Sequence, residues 1–554
     1  MTVSAPYEPA TGSSAGQTIR RVIVYSLLFA LVIIAATGLQ GLLALVLEPD
    51  TVIAGESTGA LAQSLAFTLI GGPLATLLWW ASWRRLSEPA ERAALTWGLY
   101  ISLASVVAVI TATVSLVGVV AALIDGEWDG SACATAVVFA AVWVWHRWMW
   151  RHPAKSPLRL AEVPAVLGAA FGILLGAGSA IATLAGIFDA AIIDLTAAPT
   201  IGERWWVGTF QTLVWAAGGL LVWAWHWYRE GARTTTTGLA NVALILIGIL
   251  LAALATLGGV GTVLYVVLRL LLDSTDPIRV LLSPLGVAIA AALIGAVIWT
   301  YSRGVALGRT PAVRQASILA TSGIGLVGAA SGLGIVVNSA LGIFATRLAG
   351  DDLRSLLLGG LSALLVGGVV WWFTWRPFRP TDAAAAGTGR RIYLIAVFGL
   401  SAIVALITLL VIGYRLFEFF LQGGGNLIEQ IRAPLGLLTA TALVAGYHFG
   451  VWRHDRADAA ASAPAERLRT IGEVILVTAA NASPLVDVIR DRTGATVTVW
   501  PTASAVQLDA ASPAVAEPSP DPESLARALD GVTGRRVLVL AGPAMRLEVV
   551  PLAD

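Results

Sequence analysis

The chain has 554 residues, of which 57% are hydrophobic and 12% charged, with a mean hydropathy of +0.80. Ordinary soluble domains carry about a quarter charged residues, so this composition belongs to a membrane protein. A net charge of +1 argues against nucleic acid as a partner. The single cysteine, Cys133, excludes an intrachain disulfide and a Cys-based zinc or iron–sulfur site. Lys155 is the only lysine, which excludes a P-loop lysine in the C-terminal part and a Schiff-base lysine almost anywhere.

In chain order, residues 1–19 read as a disordered N-terminus, and twelve apolar segments follow that are each long enough to span a bilayer. They lie at 22–46, 61–83, 94–123, 132–150, 163–188, 205–228, 239–271, 280–302, 315–346, 353–375, 391–420 and 432–453. The first follows Arg20 and Arg21 as a signal peptide would, but it is longer than the about 7–15 residues of a signal h-region, so a retained span is expected.

The spans group into six tandem hairpins, 20–88, 89–158, 159–233, 234–309, 310–382 and 383–456. Each closes on an aromatic cluster that runs into a basic residue: Trp80 and Trp83-Arg84, then Trp145-His146-Arg147-Trp148, then Trp225-His226-Trp227-Tyr228-Arg229. Trp299, Tyr301 and Arg303 follow, then Trp372 and Trp375-Arg376, then a degenerate Tyr447-His448-Phe449 with Trp452-Arg453. The lead aromatics recur every 65 to 80 residues, a spacing that signals internal repeats. Trp and Tyr favour the headgroup level, so the clusters mark one membrane face. The connections on that face hold most of the basic residues, whereas the loops inside the hairpins are acidic, as at Glu48, Asp50 and Glu56 or Asp125, Glu127 and Asp129. The positive-inside rule then puts the Trp-Arg ends and both termini in the cytoplasm. A two-span unit re-enters the membrane in the same orientation each time, so these copies are not inverted-topology repeats.

Residues 457–470 read as a polar linker and 471–554 as a small cytoplasmic α/β domain. Its expected elements are a strand at 473–478, a helix starting at Ser483-Pro484, a strand at 495–500, a helix at 523–531 and strands at 535–540 and 545–551, with a flexible loop over 503–522.

Candidate chemistry is sparse. No ionisable residue falls at the centre of a span, where transport or proton relays would place one. Arg269, Arg347, Arg415 and Glu418 lie near the outer ends of long spans, where snorkelling accounts for them. Gln40, Gln211 and Asn338 suit interhelical hydrogen bonds. His146, His226 and His448 occupy the same place in three repeats and could hold a haem or metal, but Ala81, Thr300 and Phe373 stand there in the others, and belt packing is preferred. Gly168, Gly172 and Gly176, and Gly328 with Gly332, form helix faces expected to pack hairpin against hairpin or protomer against protomer. Asn481-Ala482-Ser483-Pro484 reads as a helix cap rather than an anion site. Without a Ser/His/Asp set, paired carboxylates or HExxH, no catalytic, cofactor or metal residue is assigned, and the chain is not read as an enzyme.

The Arg20-Arg21-Val22-Ile23-Val24-Tyr25 and Arg390-Arg391-Ile392-Tyr393 starts, with the aromatic-basic hairpin ends, resemble an uncharacterised family of bacterial membrane proteins built from tandem two-span domains of unknown function. The resemblance covers about residues 17–455 and implies a multi-pass location in a bacterial membrane, without a known activity.

The fold expected is therefore an all-α polytopic membrane protein, twelve transmembrane helices in six tandem hairpins plus a small C-terminal α/β domain, in the inner (plasma) membrane. The leading functional reading is a membrane scaffold or accessory subunit, with the lipid bilayer and a protein bound through the C-terminal domain as partners. The alternative is a transporter or channel for a neutral or lipid-like solute, and a lipid-acting enzyme comes third. Convergent polar groups around a cavity would favour transport, and a solid interior the scaffold. Reporter fusions after Arg85, Arg229 and Arg379 should report cytoplasm, and fusions near Glu56, Asp129 and Asp352 the opposite side. One consistent inversion would sink the orientation, and a break in alternation the span count.

Overall fold

The computed structural model describes residues 15–48, 56–196, 204–273, 275–344, 353–375, 383–422, 426–462, 471–478, 482–501, 521–541 and 547–552. Among them, twelve helices are long and apolar enough to cross a membrane. They are α1 (Ala15–Leu47), α2 (Thr58–Arg85), α3 (Leu95–Ile124), α4 (Gly130–Trp150), α5 (Val163–Thr196), α6 (Trp205–Arg229), α7 (Gly238–Leu272), α8 (Ile278–Leu307), α9 (Pro311–Gly342), α10 (Leu353–Trp375), α11 (Gly389–Gln422) and α12 (Leu427–Ala457). They coincide with the twelve apolar segments read from the sequence, and most run a turn or so further. Local chemistry sets the ends. After α3, Gly126 takes φ +82° to turn the chain, and the Asp129 carboxylate accepts from Ala132 N at 2.7 Å to start α4. Helix α9 opens on Pro311, whose missing N–H costs nothing at a first turn.

Three stretches widen to π-helical turns: Phe67–Gly71 in α2, Trp225–Arg229 at the end of α6 and Leu244–Leu251 in α7. Such turns insert a residue and shift the face a helix presents. In α7 the shift brings Gly248 onto Ser302 of α8, close enough that a Cβ would meet the Ser302 Cβ at 2.9 Å.

The chain divides into two compact units, Met1–Phe449 and Gly450–Asp554. The division falls inside α12, a few residues before the 456/457 boundary expected from the sequence. Within the first unit the glycine faces join consecutive helices. A Cβ at Gly172 would strike the Trp223 backbone and lie 2.8 Å from Gly219 O, and at Gly176 it would lie 2.9 Å from Leu220 N, so α5 and α6 meet backbone to backbone. Helices α9 and α10 do the same, with Gly325 facing Trp371 N at 2.8 Å and Gly332 facing Gly360 O at 2.6 Å. The expectation that these faces pack hairpin on hairpin or protomer on protomer is corrected: each meets the next helix in sequence. Small residues permit such close approach, and in an apolar medium packing replaces the hydrophobic drive between helices.

The second unit carries a four-stranded sheet in the order β2-β1-β3-β4, from β1 (Ile471–Thr478), β2 (Thr496–Pro501), β3 (Gly534–Ala541) and β4 (Leu547–Leu552). Strands β2 and β3 run parallel to β1, and β4 runs antiparallel to β3. Two helices, α13 (Ser483–Thr493) and α14 (Pro522–Leu529), share one core with Val474, Leu476, Val537 and Val539 through Leu485, Ile489, Leu525 and Leu529. These elements follow the sequence reading closely. Helix α14 stops before residue 531 because Asp530 is extended and Gly531 takes φ +83°. The expected cap on α13 differs: Asn481 lies outside the described residues, and the residue before the helix is Ala482, which has no capping side chain. The expected loop over 503–522 lies, up to residue 520, outside the described residues as well, and so do the 463–470 part of the linker and residues 1–14 of the N-terminus.

Gly367 and Gly368 separate packing from composition. A Cβ on Gly367 would overlap the α9 backbone at Gly328 C at 2.7 Å, whereas a Cβ on Gly368 has nothing within 4 Å. Gly367→Val should therefore lower stability by about 1–3 kcal/mol, and Gly368→Val should leave the unfolding temperature in detergent nearly unchanged. Equal effects at the two positions would show that α9 and α10 are not held at this distance.

Candidate functional site

Five helices of the first unit, α7, α9, α10, α11 and α12, stand around a cavity of about 1240 Å³. On α9 its wall runs from residue 320 to 335, about 22 Å at the helical rise, against a bilayer hydrocarbon core of about 30 Å. The wall holds no charged side chain; its polar members are the hydroxyls of Thr262, Tyr265, Ser331, Ser355, Ser362, Ser401 and Thr441. Most of those are already engaged. Ser401 Oγ donates to Val397 O at 2.6 Å, Thr441 Oγ1 to Leu437 O at 2.8 Å, Ser362 Oγ to Gly261 O, and Tyr265 and Ser355 share a hydrogen bond of 2.5 Å. Wall residues such as Leu254, Val327 and Leu400 are more than half exposed, so the cavity is not sealed. A smaller cavity of about 330 Å³ lies between α5, α6, α7 and α8, beside Trp227, whose Nε1 donates to Tyr301 Oη at 2.6 Å.

A second feature is a polar seam at the Trp-Arg ends of the helices. The single turn Pro89–Arg92 presents Glu91, buried, to Arg20 Nη2 at 2.9 Å and to Arg21 Nε at 3.1 Å. Arg92 Nε donates to Ser156 O at 3.1 Å, and Lys155 Nζ to Trp83 O at 2.8 Å. Glu230, buried, receives Arg147 Nε at 2.5 Å, Arg151 Nε at 2.9 Å and Trp225 Nε1 at 3.1 Å. Arg309 closes the series on Asn241 Oδ1 at 2.8 Å and Arg233 O at 3.1 Å. Trp and Arg four residues apart stack at the helix ends: Arg84 over Trp80 at 4.7 Å and Arg303 over Trp299 at 5.6 Å; in the second unit Arg456 stacks over Trp452 at 5.5 Å. Not all the aromatics face outward. Trp97 and Trp150 are buried, donating to Lys155 O at 3.2 Å and Ala161 O at 2.7 Å.

The three histidines do not converge. Each sets its Nδ1 against the carbonyl four residues earlier, Val142, Val222 or Val444, at 2.8, 2.9 and 2.8 Å. A carbonyl only accepts, so Nδ1 carries the proton and Nε2 is left as an acceptor. His146 Nε2 receives the Tyr100 hydroxyl at 2.9 Å, and the His226 ring packs on Gly168. His448 Nε2 has no partner among the described residues and lies amid Trp371, Trp375, Tyr393 and Tyr447. No group of three or more His, Cys, Asp or Glu comes together among the described residues. Arg269 does not simply snorkel; it is 9% exposed and pairs with Asp276 at 2.7 Å and Asp273 at 3.3 Å. Arg415 pairs with Glu418 at 2.9 Å. Gln211 reaches Ala121 O and Asp125 Oδ2 across helices, both at 3.2 Å, as expected, but Asn338 Oδ1 is buried without a partner among the described residues. Arg347, Asp50, Asp352, Arg376 and Arg379 lie outside the described residues. Glu91 and Glu230, which anchor the seam, were not singled out from the sequence. The signal available was an acid in an otherwise basic connection.

Twelve membrane-length apolar helices with a small C-terminal sheet define a multi-pass membrane protein in architecture. Two regions of the chain, 21–131 and 315–447, match a family described as "Domain of unknown function (DUF5671)". They cover under half of the chain and less than the 17–455 spanned by the resemblance, and each extends over more than two helices. No curated protein and no solved structure matches the chain.

The Glu230 cluster generates a pH test. Burial opposes ionisation of its carboxyl, but the hydrogen bonds from Arg147 and Arg151 outweigh it and hold it below the usual carboxylate range. A carboxyl depressed in the folded state adds stability above its unfolded value of about 4.3, and that stability is lost as pH falls through the folded value. Glu230→Gln should remove this acid-dependent part and cost about 1–3 kcal/mol at neutral pH, since the half-exposed arginines can rehydrate. Thermal unfolding in detergent against pH reads it, and an acid limb identical in wild type and variant would count against the cluster.

Proposed function

We propose that this chain is a multi-pass protein of a bacterial inner membrane, six helical hairpins with both termini cytoplasmic, that holds a lipid-like apolar chain in the cavity formed by α7, α9, α10, α11 and α12. The observation that carries this reading is the pairing of volume with wall chemistry. The cavity exceeds the about 300–1,000 Å³ of common small-molecule sites, and most of its wall hydroxyls already spend their proton inside the protein, so a polar solute would find few donors for its own acceptors. An extended hydrocarbon needs no partner, and the long wall on α9 suits one. This favours the neutral, lipid-like alternative over a polar cargo.

The backbone-close glycine contacts support a second role as membrane scaffold, in which the C-terminal unit engages a soluble protein and the spans give it a fixed platform. The two readings part at the cavity. A diazirine-bearing palmitate photolysed with the protein in detergent should label peptides of α7, α9 and α10. Gly258 lines the cavity and has nothing within 4 Å of its Cβ position, so Gly258→Phe fills space without a clash. The variant should lose most of the labelling while keeping its unfolding temperature. Labelling spread evenly over lipid-facing helices, or untouched by Gly258→Phe, would leave the scaffold role alone.

A further inference from the structure

A pocket of about 100 Å³ opens where α1 begins, lined by Arg20, Arg21, Tyr25, Ser82, Arg85 and Glu91 among others. Its chemistry is unlike that of the large cavity. Three guanidinium groups face one carboxylate, so Glu91 neutralises one positive charge and two remain. Arg21 approaches Glu91 through Nε at 3.1 Å and Nη2 at 3.2 Å, and Arg20 through Nη2 at 2.9 Å, which fixes both side chains at the rim. Arg85 is exposed, and no carboxylate among the described residues pairs with it.

Two hydroxyls complete the pocket. Tyr25 is 6% exposed and Ser82 is 7% exposed, and neither hydroxyl has a hydrogen-bond partner among the described residues. Tyr25 lines the same small pocket as Glu91, Arg21 and Arg20. Ser82 lines it too, so both hydroxyls are placed to donate to a group inside it. The pocket's one carboxylate, Glu91, is engaged by Arg20 and Arg21, and what the pocket offers in excess is positive charge. A tetrahedral oxyanion supplies several acceptor oxygens at once and suits the planar fork of arginine. At about 30 Å³ per water, the space admits one such group.

We propose that this pocket binds a phosphate oxyanion, held by Arg85, Ser82 and Tyr25 with Arg20 and Arg21 at its rim. The group is either the headgroup phosphate of an anionic lipid, met where the apolar stretch of α1 begins, or a free phosphate from the aqueous side. The site is separate from the apolar cavity and does not depend on it.

The test uses the full chain in two arms. In detergent, inorganic phosphate is titrated calorimetrically. In nanodiscs of phosphatidylcholine with or without phosphatidylglycerol, native mass spectrometry counts retained anionic lipid. Saturable binding in the lipid arm alone assigns a headgroup, and saturable phosphate binding assigns a free anion. In whichever arm binds, Arg85→Gln and the double variant Tyr25→Phe/Ser82→Ala should each weaken binding about tenfold. These variants leave the Glu91 ion pairs in place, and circular dichroism verifies that they fold. Absence of saturable binding in both arms overturns the proposal, as does binding that neither variant changes.

Discussion

Apolar helices in an apolar medium have no hydrophobic reason to prefer one neighbour or one rotation over another. In this protein the connections at the Trp-Arg ends supply that preference. Glu91 ties the connection after α2 back to the start of α1, and Arg92 and Ser156 tie it onward to the connection after α4. Arg147 and Arg151 then reach Glu230 after α6, and Arg309 after α8 reaches back to Arg233 and Asn241. Two of these partners, Glu91 and Glu230, are buried acids that would be expensive to leave alone. Four consecutive connections are thereby locked in order along one edge, and the helices they terminate inherit their spacing.

Below that edge, small residues decide where backbones touch and where space remains. Helices α9 and α10 meet through Gly325, Gly332, Gly360 and Gly367, with no room for a methyl group. The same glycine-rich helices line the large cavity, where Gly323 and Gly359 present no side chain to fill it. Helix α11 adds Val397, Leu400 and Val404 to the wall, while its Ile403, Leu406 and Leu410 are exposed. Tight pairing and empty volume are two results of one composition.

The spans and the tail were readable because their signals are local. Twelve long apolar runs and the short, Val/Ile-rich run at 473–478 need no knowledge of neighbours. The tail helix ending at Gly494, with φ +66°, is likewise written in adjacent residues. The polar seam was not readable. Glu91 lies 70 and 71 residues from its arginines, and Glu230 lies 79 and 83 from its own. Nothing in a short window distinguishes either from a solvated loop acid. His146 looked like a belt residue, yet its partner Tyr100 is 46 residues away on another helix. The cavity had no sequence signal at all, since a void is a joint property of five helices.

Among the described residues, the strand order of the C-terminal unit leaves β2 and β4 as the edges of its sheet. Strand β2 ends on Pro501, and β4 carries Pro551 opposite Val537. Proline has no N–H to offer an incoming strand, so each border is interrupted for ladder growth where that residue stands. A sheet tethered to a membrane is confined at high local concentration beside its own copies, where edge-to-edge pairing would seed aggregates. Here both borders are blunted by covalent structure, and crowding on the membrane surface carries less risk of sheets fusing end to end.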